Sequence, residues 1–130
     1  MALLDKPESA DPLGDLREYA VCVFRLTVED PTARRMFEIA TLKIEYTDEM
    51  SVVRERRQHN QREWTRRVEG RVNLGIKSGQ IKPGVQPYAV ALGTYALVDG
   101  LIRHWMLGQQ FDLIKMGGEI IDTHLDSLRA

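Results

Sequence analysis

Apolar residues recur at steps of three and four along most of the chain, and no segment alternates apolar and polar positions with period two. The pattern predicts an all-α fold of five helices. Asp11-Pro12 opens the first, an aspartate placed to cap and a proline whose missing N–H costs nothing in the first turn. Leu13, Leu16, Ala20, Val23, Phe24 and Thr27 follow on one face, which carries this helix to about Val28. Asp30-Pro31 repeats the start signal for a second helix through Met36, Phe37, Ile39, Ala40, Ile44 and Tyr46. Thr47-Asp48-Glu49 starts a third, with acidic residues at the positive helix end, and nothing breaks it before Gly70. Continued to Ser78-Gly79, it is a rod of about 45 Å at ~1.5 Å per residue.

After the Lys82-Pro83-Gly84 loop, Gln86-Pro87 opens a fourth helix that is apolar on nearly every side: Tyr88, Val90, Ala91, Leu92, Tyr95, Leu97, Val98, Leu101, Ile102, Trp105 and Met106. Gly108-Gln109-Gln110 ends it, and Phe111-Asp112 reads as the capped start of a fifth helix. Leu113, Gly117, Ile120, Ile121, His124, Leu125 and Leu128 form the stripe of that last helix. A helix apolar all round must be covered all round. Two such helices side by side present a flat apolar face, and the usual cover is a second copy related by a two-fold axis. Gly93, Gly100, Gly117 and Gly118 lie in these two helices, where each costs ~1 kcal/mol against alanine. They point to close helix–helix approach; tolerated glycines, or a bend at Gly117-Gly118, are the alternatives.

Composition narrows the class. At 130 residues the chain has room for one core, with residues 11–130 as the domain and residues 1–10 as a tail or connector. Eighteen basic against nineteen acidic side chains leave a net charge of −1, unlike a dedicated nucleic-acid binder. A single cysteine, Cys22 between two valines, excludes an internal disulfide and reads as an inert buried thiol in a reducing, cytoplasmic setting. The longest uncharged run, Pro83 to Val98, is too short for a membrane span of ~20 residues, and no basic-then-apolar leader follows Met1.

Candidate chemistry concentrates on the third and fourth helices. The stripe Met50, Val53, Arg57, Gln61, Trp64, Val68, Val72 carries two polar members among apolar neighbours. An arginine at Arg57 must reach solvent, pair with an acid or line a wet cavity. Asp99 interrupts the fourth helix's apolar run, Arg103 follows one turn later and Tyr95 precedes by one turn. Polar groups among apolar walls suit a small-molecule pocket. An Asp99–Arg103 ion pair that fixes helix register is the other reading. The run Arg54, Arg56, Arg57, Arg62, Arg66, Arg67, Arg71 is interleaved with Glu55, Glu63 and Glu69 and spreads around the helix, so it reads as a solvated, salt-bridged surface. His59 lies one turn from Glu55 and Glu63, a spacing that reaches a surface metal site or arises by chance on a charged helix. His104 sits between Arg103 and Trp105, and His124 on the last stripe reads as a satisfied core or interface histidine. Neither a nucleophile elbow nor a Gly-rich phosphate loop is present, so no enzyme, cofactor or metal is implied.

An ordered set of blocks over Asp11 to Arg129 resembles one family. These are Asp11-Pro12-Leu13-Gly14, Arg34-Arg35-Met36-Phe37-Glu38-Ile39, Glu45-Tyr46-Thr47-Asp48-Glu49-Met50, Val98-Asp99-Gly100-Leu101-Ile102-Arg103-His104-Trp105, Phe111-Asp112-Leu113 and Asp122-Thr123-His124-Leu125-Asp126. They resemble the C-terminal regulatory domain of TetR-family transcriptional repressors, in the branch that controls multidrug efflux pumps. The resemblance implies a five-helix bundle whose last two helices pair with a second copy as a four-helix bundle, hence a homodimer. It also implies an internal pocket for a hydrophobic, often aromatic, small-molecule effector. Carried over by position, the pocket candidates are Val23, Phe37, Thr41, Gln61, Trp64, Val68, Tyr95, Val98, Asp99 and Arg103, with Asp99 and Arg103 as polar anchors. Trp64 and Phe37 stand where relatives carry smaller or polar residues, which predicts a reduced or reshaped cavity. In such repressors a helix-turn-helix part precedes this domain, so residues 1–10 would be a remnant of a connecting helix and this chain would not bind DNA by itself. A dimerisation module with a filled core and no ligand is the alternative function.

Overall fold

The computed structural model describes residues 8–40 and 51–130. Five helices account for most of them: α1 (Pro12–Glu29), α2 (Pro31–Glu38), α3 (Ser51–Ser78), α4 (Pro87–Gly108) and α5 (Leu113–Asp126). The expected second-helix residues Ile44 and Tyr46, the start signal at Thr47 and the site candidate Thr41 lie outside the described residues.

The caps are the ones the sequence announces. Asp11 accepts from the Gly14 N–H ahead of Pro12, and Asp30 accepts from Thr32 and Ala33 ahead of Pro31. Asp30 also closes α1, its extended backbone turning the chain while its N–H donates to the Leu26 carbonyl. Gln86 and Asp112 cap α4 and α5 in the same way. Gln109 stops α4 in the left-handed conformation (φ 48°), its N–H donating to the Trp105 carbonyl.

The core forms where α1 packs against α3 and α5, and α4 against α3 and α5. Leu13, Leu16, Tyr19, Ala20, Val23 and Phe24 from α1 meet Trp64, Val68 and Val72 from α3, Val98, Ile102 and Trp105 from α4, and Ile121 and Leu125 from α5. Gly117 explains the α1–α5 approach. A Cβ there would sit 2.7 Å from the ring of Phe24, which is fully buried. This is the close helix–helix contact that a glycine in α5 implies, made within the chain. Gly93 and Gly100 lie on the exposed side of α4, where none of the described residues comes within 4 Å of a Cβ position.

Two expectations need correction. Arg71 is not part of a solvated surface: it is 2% exposed and ion-paired to Asp15 at 3.4 Å. Its neighbours on the helix do behave as expected, Arg66 pairing with Glu63 in solvent. Cys22, expected as a buried thiol, is half-buried.

One node ties the ends together. Gln80 accepts from the Leu13 N–H through Oε1 and donates to Asp11 through Nε2. Its backbone carbonyl accepts from Ala130, while Lys82 donates to Leu128 and Ile81 bridges antiparallel to Arg129. The Gln80 and Gly14 donors hold the Asp11 carboxyl below the usual carboxylate range.

Candidate functional site

Three aromatic rings from three helices meet in the upper core. Trp64 of α3 lies between Tyr19 of α1, at 5.5 Å between ring centroids and tilted by 45°, and Tyr95 of α4, at 5.2 Å and near edge-on at 66°. Both geometries fall in the range where ring quadrupoles attract. The helical spacing that buries Trp64 also buries Val68 and Val72 below it. Tyr19 continues the Leu16–Val23 face of α1, and its spacing, three residues after Leu16 and four before Val23, is the sequence signal that identifies it.

Polarity enters this cluster in three places. Burial pushes the Tyr19 phenol well above its ordinary range, so the hydroxyl stays protonated at neutral pH. The Trp64 indole N–H works in the opposite sense on Tyr19, yet Nε1 is buried without a partner in hydrogen-bond geometry. One turn beyond Tyr95, Asp99 is half-buried and lies 3.9 Å from the Arg57 guanidinium of α3. Arg57 also donates to the Ala40 carbonyl at the end of α2.

The sequence-derived candidates therefore separate. Trp64, Tyr95, Asp99 and Arg57 come together between α3 and α4. Val23, Val68 and Val98 sit in the core, and Phe37 packs against it from α2. Gln61 is half-buried one turn from Arg57, and Arg103 is exposed. The ion pair of Asp99 runs across to Arg57 on the neighbouring helix, whereas the spacing along α4 points to Arg103. Of the roles open to Arg57, pairing with an acid is one that it takes.

A second feature is the outer face of α4. Tyr88, Leu92 and Leu107 are exposed there, at 51%, 38% and 66%, and Met116 of α5 at 38%. Gly93, Ala96 and Gly100 lie exposed on the same helix and keep its surface low. Between α4 and α5, His124 Nε2 lies 2.8 Å from Thr94 Oγ1, which donates its own proton to the Val90 carbonyl. Thr94 therefore accepts from an Nε2–H tautomer. Burial lowers the pKa of His124, and the imidazole is neutral at pH 7.

Comparison with known proteins is consistent along the whole bundle. The family described as "MAATS-type transcriptional repressor, C-terminal region" matches residues 11–130, which include every helix. The chain is 32% identical over 126 residues to the HTH-type transcriptional regulator TtgR of Pseudomonas putida, an alignment covering 96% of this chain and 60% of that protein. The probable HTH-type transcriptional regulator ArpR of the same species matches to the same extent. The HTH-type transcriptional regulator AcrR of Shigella flexneri is 29% identical over 117 residues, 89% of this chain and 54% of that protein. The chain thus spans about 60% of the length of the first two relatives. With the family matched across 120 of its residues (11 to 130 inclusive), the chain belongs to the TetR family of transcriptional regulators, as the C-terminal region of a MAATS-type repressor.

Proposed function

We propose that this chain is the effector-sensing and dimerising region of a cytoplasmic TetR-family repressor of efflux genes, taking up hydrophobic aromatic small molecules between α1, α3 and α4. The observation that carries the reading is the Tyr19–Trp64–Tyr95 cluster with the half-buried Asp99–Arg57 pair one turn away. Aromatic walls give area to an apolar ligand, and a carboxylate with a guanidinium orients its polar end. Val23, Phe37, Gln61, Val68, Val98 and Arg103 are the further candidates to line or back this region, and Thr41, outside the described residues, is a candidate by its position in the family. The cluster joins three helices, so a ligand that wedges Trp64 from Tyr95 favours a different helix packing. The free energy available for switching equals the ligand's differential affinity for the two packings. DNA would be contacted through a helix-turn-helix part outside this region. The low, apolar outer face of α4 together with α5 would pair with a second copy as a four-helix bundle.

Thermal unfolding in the presence of a panel of aromatic hydrophobes tests the reading. A ligand that binds the native state stabilises it by RT ln(1 + [L]/Kd), about 2.7 kcal/mol at a hundredfold excess over Kd. Asp99→Ala should weaken the response to polar-substituted members of the panel more than to plain hydrocarbons. A flat response across the panel favours the second reading, a dimerisation module with a filled core. The depth at which Val68 and Val98 are already packed, at 0% and 7% exposure, is the observation on its side.

A further inference from the structure

The Trp64 indole N–H is out of place in an apolar core. Trp64 is 92% removed from solvent (8% exposed), its ring is walled by Tyr19 and Tyr95, and among the described residues Nε1 meets no acceptor in hydrogen-bond geometry, its influence on the Tyr19 phenol notwithstanding. Buried N–H groups are almost always partnered in native proteins, so an unpartnered one marks strain or a missing acceptor. Trp64 has no conformational need of the N–H. Phenylalanine would supply the same stacking between two tyrosines without a donor to satisfy. Among buried side-chain N and O atoms of the described residues, Nε1 is the one without a partner, and it falls in the same cluster as the proposed effector site.

We infer that Trp64 is a specificity-determining residue whose indole N–H donates to an acceptor oxygen on the effector, selecting aromatic molecules that carry a carbonyl or ether oxygen over plain aromatic hydrocarbons. The inference rests on the effector-pocket reading and deepens it. Chemistry on either side of the ring agrees. The Tyr19 hydroxyl keeps its proton and adds a second donor, whereas the acceptor of the site, the Asp99 carboxylate, is engaged by Arg57. The inner end of the site is thus rich in donors, and the Tyr19 oxygen beside Trp64 does not meet Nε1 in hydrogen-bond geometry, so a well-placed acceptor is what it lacks. An acceptor placed there removes the desolvation cost already incurred by Nε1, which makes this hydrogen bond worth more than one formed in exchange for water.

The test uses two near-isosteric probes, 2-acetylnaphthalene, which carries a carbonyl acceptor, and 2-isopropenylnaphthalene, which does not. Binding of both to the 130-residue chain and to Trp64→Phe is measured by calorimetry. The ketone-over-alkene preference of the wild type should exceed that of Trp64→Phe by about tenfold, the worth of one buried hydrogen bond. Comparing the ratio of the two probes in each protein cancels their different hydration and any loss of packing in the variant. Equal ratios in the two proteins would overturn the inference and leave the pocket standing. Absence of binding of either probe to either protein would overturn both. Where Trp64→Phe does not fold, the ¹H–¹⁵N spectrum of the wild type decides. The chain has two tryptophans, and Trp105→Phe leaves the Trp64 indole cross-peak alone in that region. That peak should move downfield with the ketone and hold its position with the alkene. A shift of the same size and direction with both probes would overturn the assignment.

Discussion

Arg71, on α3, meets the carboxylate of Asp15, in the first turn of α1, at 3.4 Å while only 2% of the arginine remains exposed. Asp15 serves two purposes at once. It places negative charge at the positive end of α1, where it also accepts from the Ser9 N–H and hydroxyl, and it neutralises a guanidinium in the core. Asp15→Asn should therefore cost about 2–3 kcal/mol in urea unfolding, somewhat below the ~3–5 kcal/mol of a fully buried pair because Asp15 keeps contact with water. Removing the exposed Arg25–Glu29 pair through Glu29→Gln should cost less than about 0.5 kcal/mol.

The contact of Phe24 with Gly117 gives a second expectation. An alanine at Gly117 gains ~1 kcal/mol of helix propensity but brings its methyl to 2.7 Å from the fully buried ring of Phe24. Gly117→Ala should be destabilising by about 1–3 kcal/mol, read from the urea midpoint at unchanged m-value.

Gly100 behaves oppositely within one protomer. Among the described residues nothing lies within 4 Å of the Cβ position there, so Gly100→Ala should raise the stability of an isolated chain by up to ~1 kcal/mol. If the outer face of α4 packs on a second copy, the same methyl intrudes on the seam. Sedimentation equilibrium should then give a dimer for the wild type and a dissociation constant at least tenfold higher for Gly100→Ala. A monomeric wild type at tens of micromolar would remove the paired-helix reading.

The half-buried His124 predicts a pH dependence. Its folded pKa lies below the ordinary value of about 6.5, so the unfolded chain takes up a proton first as the solution is acidified. This contribution is fully present above pH 6.5 and is lost as pH falls through that value towards the folded pKa. Urea midpoints at pH 7.5 and pH 5.5 should differ more in the wild type than in His124→Gln, which keeps a donor for Thr94 and cannot titrate.

The helices were legible because their signals are local. Asp11-Pro12, Asp30-Pro31, Gln86-Pro87 and Asp112 act on backbone groups two or three residues away, and each cap is where the sequence puts it. Partners across helices were not. Nothing in the arginine-rich stretch of α3 separates Arg71 from Arg66 or Arg67; the difference is the carboxylate that α1 brings to Arg71. Asp99 had a suitable cation one turn away in Arg103, yet packing of α3 on α4 supplied Arg57. Trp64 was identifiable as a stripe residue, but whether its N–H finds an acceptor depends on three helices at once, which periodicity along one of them does not encode.

The hydrogen bonds of Gln80 have a mechanical corollary. One side chain grips the opening turn of α1 while its own peptide group holds the tail that leaves α5. The opening turn of α1 and the tail after α5 thereby share one residue as an anchor, so that displacement of either is felt at the other.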